Sequence, residues 1–159
     1  MNKKDTVVFD LDGTLLDTLE DLKNSVNYAM TQCGYPEHTL DEVRRYVGNG
    51  ILLLMQRAIP GGKDDPNFDK AFTLFKEHYG KHCNDTTKPY AGIMELLHTL
   101  KENNIKIAIV SNKADFAVKE LNAIYFKDLI LVAIGEKESE GIRKKPAPDT
   151  VIEALKQLG

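Results

Sequence analysis

The stretch Val7-Val8-Phe9-Asp10-Leu11-Asp12-Gly13-Thr14 decides the reading of this chain. Val7-Val8-Phe9 is β-branched and aromatic, which predicts a buried strand. Gly13 permits the backbone angles needed to leave that strand sharply. Side chains at i and i+2 of an extended segment share a side, so Asp10 and Asp12 project together from the strand's carboxyl end. In open α/β sheets that end is where ligands bind. Two carboxylates so close repel each other and suit a hard divalent cation with oxygen ligands.

Outward from this strand the chain has two rhythms. Residues 15–85 show mostly helical periodicity. Thr18 is expected to cap a helix carrying Leu19, Leu22, Val26, Ala29, Met30 and Cys33 on one face, with Gly34 as its stop. Thr39-Leu40-Asp41-Glu42 reads as a capping box opening a short helix. Ile51–Met55 is apolar on all sides, so a largely buried helix is expected there. Pro60-Gly61-Gly62 and Asp64-Asp65-Pro66 mark a loop, and Phe68, Phe72, Phe75 and Tyr79 form the stripe of a fourth helix. Four such helices make a small bundle.

After Lys88-Pro89-Tyr90 helix and strand alternate. Ile93, Leu96, Leu97 and Leu100 define a helix, Ile105–Val110 a strand, and Ala114, Ala117, Val118 and Leu121 a helix. Leu129–Ile134 then reads as a strand and Thr150–Leu158 as a closing helix. Such alternation predicts a parallel sheet with right-handed crossovers. The expected fold is therefore α/β: a Rossmann-like three-layer core from residues 1–14 and 86–159, with a four-helix cap inserted at 15–85.

Bulk properties narrow the function. The chain has 159 residues and a net charge of −3, which gives no support for nucleic-acid binding. The basic run Arg143-Lys144-Lys145 is better read as part of a site. No stretch approaches the roughly 20 apolar residues that span a bilayer, so no membrane partner is expected. Met1-Asn2-Lys3-Lys4-Asp5 has no apolar segment behind it, so no secretory signal is expected. Two cysteines, Cys33 and Cys83, make no disulfide framework, and a cytoplasmic setting follows as the default. His78, His82 and Cys83 have metal-ligand spacing, but a polar helix face is the expectation there.

Two further stretches follow the aspartate motif in order: Val110-Ser111-Asn112-Lys113 after an apolar run, and Lys145-Pro146-Ala147-Pro148-Asp149. Together with Asp10-Leu11-Asp12-Gly13-Thr14 they resemble the three signatures of the haloacid dehalogenase-like hydrolases, most of which are phosphatases. The resemblance runs from about residue 6 to the end of the chain and implies a cap that closes over the site. It implies Asp10 as nucleophile, forming an aspartyl-phosphate. Asp12 would protonate the leaving alcohol and then activate the hydrolytic water. Ser111, with backbone N–H groups near Asn112, would donate to the phosphoryl oxygens, and Lys145 would hold nucleophile and phosphoryl group as a point charge. Gly13, Thr14, Arg45, Asn49 and Asn112 are the expected substrate-binding positions. Asp12 also favours phosphate chemistry over dehalogenation, since a halide leaving group needs no proton.

The charges make physical sense of such a site. A phosphate dianion about 4 Å from a carboxylate is opposed by on the order of 8 kcal/mol at an effective dielectric near 20. A cation held by Asp10 and the backbone carbonyl of Asp12 would cancel much of this, and Lys145 more. Mg2+ is the expected ion, because it takes few protein ligands besides waters and a substrate oxygen.

Arg44-Arg45-Tyr46-Val47-Gly48-Asn49-Gly50 resembles a stretch of phosphoglycolate phosphatases, so 2-phosphoglycolate is the favoured substrate; the same residues also fit a Gly-Asn-Gly turn between two helices. The family's fourth motif, a Gly-Asp pair with a further acid, has no counterpart, and Lys156-Gln157-Leu158-Gly159 reads as a helix end with its terminal glycine. The expectation is a fragment of a longer phosphatase, weak or inactive alone, with Val7-Val8-Phe9 on an exposed edge open to self-association. A sugar-phosphate phosphomutase, a receiver-type phospho-aspartate module and a silent truncated member remain the alternatives.

Overall fold

The structure, a computed structural model, describes residues 5–159. These divide into two compact units, residues 5–16 with 89–159 and residues 17–88. The boundaries lie two to three residues later than the periodicity alone suggests. Leu16 is fully buried in the core of the first unit, so the chain leaves that unit only after it.

In the first unit three parallel strands, β1 (Thr6–Phe9), β4 (Lys106–Ala114) and β5 (Val132–Glu136), form a sheet in the order β1-β4-β5. Register pairs Phe9 with Ile109 and Ile109 with Ala133. Alternation along β4 sends side chains to opposite faces. Ile107 and Ile109 join a core with Leu97 of α5 (Ile93–Glu102) and Val118 and Leu121 of α6 (Asp115–Tyr125). Ala108 and Val110 meet Ala154 of α7 (Asp149–Leu158) on the other face. Both faces are covered, which makes three layers and explains why β4 reads as an unbroken apolar run.

Two strands differ from expectation. Extended backbone in β4 continues through Ser111, Asn112 and Lys113 to Ala114 although the residues turn polar. β5 begins at Val132 rather than Leu129. The carbonyl of Phe126 accepts from both Leu129 N–H and Ile130 N–H, which turns the chain there, and Leu131 is 86% exposed.

The second unit carries α1 (Leu19–Gln32), α2 (Leu40–Tyr46), α3 (Ile51–Ala58), a short 3-10 turn and α4 (Phe68–His82). Its core joins Leu22, Val26 and Met30 of α1 to Leu54 and Met55 of α3 and Phe75 of α4. The capping box at Thr39 forms, its hydroxyl accepting from Glu42 N–H. Thr18 makes no such bond, because at φ −107° and ψ 0° it lacks the extended geometry of a side-chain cap. α3 is buried on one side only: Leu54, Met55 and Ala58 turn inward while Leu52 is exposed. Leu16–Asp17 (β2) and Lys88–Pro89 (β3) form a separate two-stranded pair.

One buried carboxylate closes this unit. Asp21 accepts from the N–H and the hydroxyl of both Thr86 and Thr87, at 2.8–3.0 Å. Burial opposes its ionisation, but these donors outweigh burial and hold its carboxyl below the ordinary range.

Candidate active site

The turn after β1 gathers most of its hydrogen bonds on one acceptor. The carbonyl of Leu11 takes hydrogen bonds from the N–H groups of Thr14, Leu15 and Leu16. Leu11, Leu15 and Leu16 are all fully buried, so they anchor the turn to the core beneath. Gly13 takes φ +75°, the left-handed region, and its N–H donates to Leu16 at 2.9 Å. Gly13 and Thr14 are left exposed at the tip, with Asp10 and Asp12 behind them.

Opposite stands an irregularity of β4. Val110 pairs with Ile134 and Ala114 with Glu136, so β4 spends two more residues than β5 over this interval. Ser111, Asn112 and Lys113 occupy the bulge, a device that re-aims side chains at strand ends. Gly135 makes the bulge possible. A Cβ there would lie 2.4 Å from Asp115 Cα and 2.5 Å from the Lys113 carbonyl. Its N–H donates to the Asp115 carboxylate at 2.9 Å. Burial works against ionising Asp115, but hydrogen bonds from Lys119 and Gly135 prevail and lower its carboxyl.

Two lysines reach the acids. Lys145 donates through Nζ to Asp10 Oδ1 and to the Val110 carbonyl, both at 2.9 Å. Lys113 donates through Nζ to Asp12 Oδ1 at 3.0 Å. The pairs differ in burial: the side chain of Lys113 is 4% exposed against 26% for Asp12, while Lys145 and Asp10 are 31% and 43% exposed. Ser111 is buried, and its Oγ accepts from Lys113 N–H at 3.1 Å. Asn112 faces the main chain of Lys145, whose peptide bond to Pro146 is cis. The structure thus brings Asp10, Asp12, Gly13, Ser111, Asn112 and Lys145 to one end of one sheet.

Lys113 is the member that sequence reasoning passed over. It stands in the quoted Val110-Ser111-Asn112-Lys113 stretch, and a lysine ending an apolar strand at a site was the available signal. Arg45 and Asn49 lie on the helical unit. Arg45 is exposed, and Asn49 Oδ1 accepts from Arg57, which also donates to the Tyr46 carbonyl at 2.7 Å. His78 stacks between Tyr28 and His82 and bonds Ser25 Oγ at 2.9 Å. Burial, aided by His82, lowers its pKa. Among the described residues no three His, Cys, Asp or Glu side chains cluster as a metal site.

A doubly covered parallel sheet with acids and lysines at its carboxyl edge defines a Rossmann-like α/β core whose site lies beyond the strand ends. The chain belongs to the haloacid dehalogenase-like hydrolases, the family matched over residues 7–159. It is 33% identical to a phosphoglycolate phosphatase of Thiobacillus denitrificans, over 96% of this chain and 69% of that protein. It is 32% identical to a phosphoglycolate phosphatase of Aquifex aeolicus, over 96% and 70%. The crystal structure of a predicted phosphoglycolate phosphatase from Haemophilus somnus superposes with a TM-score of 0.86 at 27% identity, covering 98% of this chain and 72% of that one.

Proposed function

We propose that this chain carries the reacting centre of a Mg2+-dependent phosphatase that hydrolyses a small phosphorylated metabolite, 2-phosphoglycolate in the first place, through an aspartyl-phosphate. One observation carries this reading: the Lys145 ammonium sits 2.9 Å from Asp10 Oδ1, with Ser111 on the neighbouring strand end. An ammonium there attracts a phosphoryl group to the carboxylate that would otherwise repel it. The two relatives named phosphoglycolate phosphatase support the substrate class. Cys33 and Cys83 are not joined in a disulfide, and a reducing, cytoplasmic setting is part of this reading.

The donor set fits magnesium. Asp10 and Asp12 offer hard oxygens, and an ion that takes one or two carboxylates plus waters and phosphate oxygens needs no larger cluster. Asp10, through its carboxylate, and Asp12, through its backbone carbonyl, would hold the ion, which when bound neutralises charge on the phosphoryl oxygens.

The chain's own residues then act in two steps. Asp12 takes up a proton from solvent as the substrate binds; the Asp10 carboxylate then attacks phosphorus, the ester P–O bond breaks, and Asp12 gives that proton to the leaving alkoxide. Asp12 next takes a proton from water as that water attacks the phosphoryl group, which frees Asp10 and releases inorganic phosphate. Ser111 and the main-chain N–H groups beside it bind phosphoryl oxygens, and Lys145 holds Asp10 and the transferring group together. Gly13 and Thr14, exposed at the turn, leave room for the substrate, while Arg45 and Asn49 are assigned to its organic part.

The experiment is phosphate release from 2-phosphoglycolate and from a panel of sugar phosphates, with and without Mg2+. Metal-dependent release fastest from 2-phosphoglycolate is expected. An isomerised sugar phosphate without free phosphate would establish a mutase instead.

A further inference from the structure

Both main-chain polar groups of Lys145 are paired with one side chain. Asn112 Oδ1 accepts from Lys145 N–H at 2.9 Å, and Asn112 Nδ2 donates to the Lys145 carbonyl at 3.2 Å. The two bonds close a ring between amide and backbone, as an adjacent strand would. No strand does this for Lys145, which lies in the irregular stretch between Ile142 and α7. Asn112 is held in turn by the β4 bulge and is nine-tenths buried.

The Lys145 side chain has a limited reach and two acceptors to meet, Asp10 Oδ1 and the Val110 carbonyl, each at 2.9 Å. Its ammonium meets both only from a restricted range of backbone positions. Four rotatable bonds give it many other places to go, so the anchor at its backbone limits the search.

We propose that Asn112 is a positioning residue, which fixes the backbone of Lys145 so that its ammonium reaches Asp10. This gives Asn112 a task other than touching substrate, and it rests on the reading of Asp10 and Lys145 as the reacting centre. A displacement of about 1 Å in such a group costs on the order of 100-fold in rate. The loss falls on kcat, because a misplaced ammonium fails in the transition state more than in the ground state.

A double-mutant cycle in the full chain, with p-nitrophenyl phosphate and Mg2+ as the probe, tests this. Asn112→Ala should lower kcat by about 10- to 100-fold with KM changed less than about threefold. In a Lys145→Met background the same change should cost less than about threefold, because nothing is left to position. Equal losses in both backgrounds would overturn the proposal and leave the site reading intact. So would a rise in KM at constant kcat, which marks direct substrate binding. Lys145→Met with undiminished kcat would overturn both. Amide exchange gives a readout free of catalysis: Lys145 N–H should be protected in the unaltered chain and exchange at least about tenfold faster in Asn112→Ala. An unprotected Lys145 amide in the unaltered chain would also overturn the proposal, whether or not the variant folds.

Discussion

Removing either partner of the Asp12–Lys113 ion pair should cost stability very unequally. At 3.0 Å the pair attracts with on the order of 5 kcal/mol at an effective dielectric near 20, which sets a ceiling. What matters is where the surviving charge goes. Asp12→Leu takes a carboxylate away from an ammonium whose side chain is only 4% exposed. Breaking a buried ion pair on the side that keeps the buried charge costs up to about 3–5 kcal/mol. Lys113→Met leaves a carboxylate that is 26% exposed and can take up water, so about 1 kcal/mol is expected. For a chain of this size each kcal/mol moves Tm by about 2–4 °C. Asp12→Leu should therefore melt about 6–20 °C below the parent and Lys113→Met less than about 4 °C below it. Circular dichroism melts at pH 7 give the comparison, with urea titrations as a check. A Lys113→Met variant less stable than Asp12→Leu would refute the burial argument.

Three further outcomes follow from single sites. Gly135→Ala places a methyl within 2.6 Å of the backbone atoms Asp115 Cα, Lys113 O and Asp115 N, so β4 or α6 must move. Destabilisation of about 3 kcal/mol or more is expected by urea melts, and a variant of parental stability would contradict the close approach. Asp21→Ala removes the acceptor of the Thr86 N–H, the Thr86 hydroxyl and the Thr87 N–H, while the Thr87 hydroxyl keeps the Cys83 carbonyl; about 3 kcal/mol is expected, and the two amides should lose exchange protection. Asp149 is held by Arg143 at 2.7 Å, which lowers its carboxyl from 3.8 to about 2. A depressed folded value stabilises above the unfolded value, so this contribution is complete above pH about 4 and fades as pH falls towards 2. Arg143→Met should be less stable than the parent at pH 5 and match it near pH 2; an unchanged difference at both would contradict the pairing.

Much of the architecture was legible because the driving residues are local. Val7-Val8-Phe9 and Ile105–Val110 carry strand composition wherever they are placed, and the Phe68, Phe72, Phe75, Tyr79 stripe fixes α4 without help. The misreadings have tertiary causes. β4 runs on to Ala114 because the bulge needs extended backbone, and only the facing Gly135 gives it room. Leu129 and Ile130 look like strand residues but turn on the Phe126 carbonyl. Thr18 has a capping composition but not the torsion angles, while Thr39, in a capping box, has both. At the site, Asp10, Asp12, Ser111 and Lys145 were visible because their order along the chain is informative. The Lys113–Asp12 pair was not, since nothing local links residues 101 apart. Asn112 gave its residue type but not its partner.

The measurement that bears most directly on the account is acid quenching of the working enzyme followed by mass spectrometry of its peptides. During turnover of a phosphate monoester, the peptide bearing Asp10 should carry one phosphoryl group, and Asp10→Asn should lose both that adduct and phosphate release. Phosphate release by Asp10→Asn at the parental rate would contradict the central claim that this carboxylate is the nucleophile.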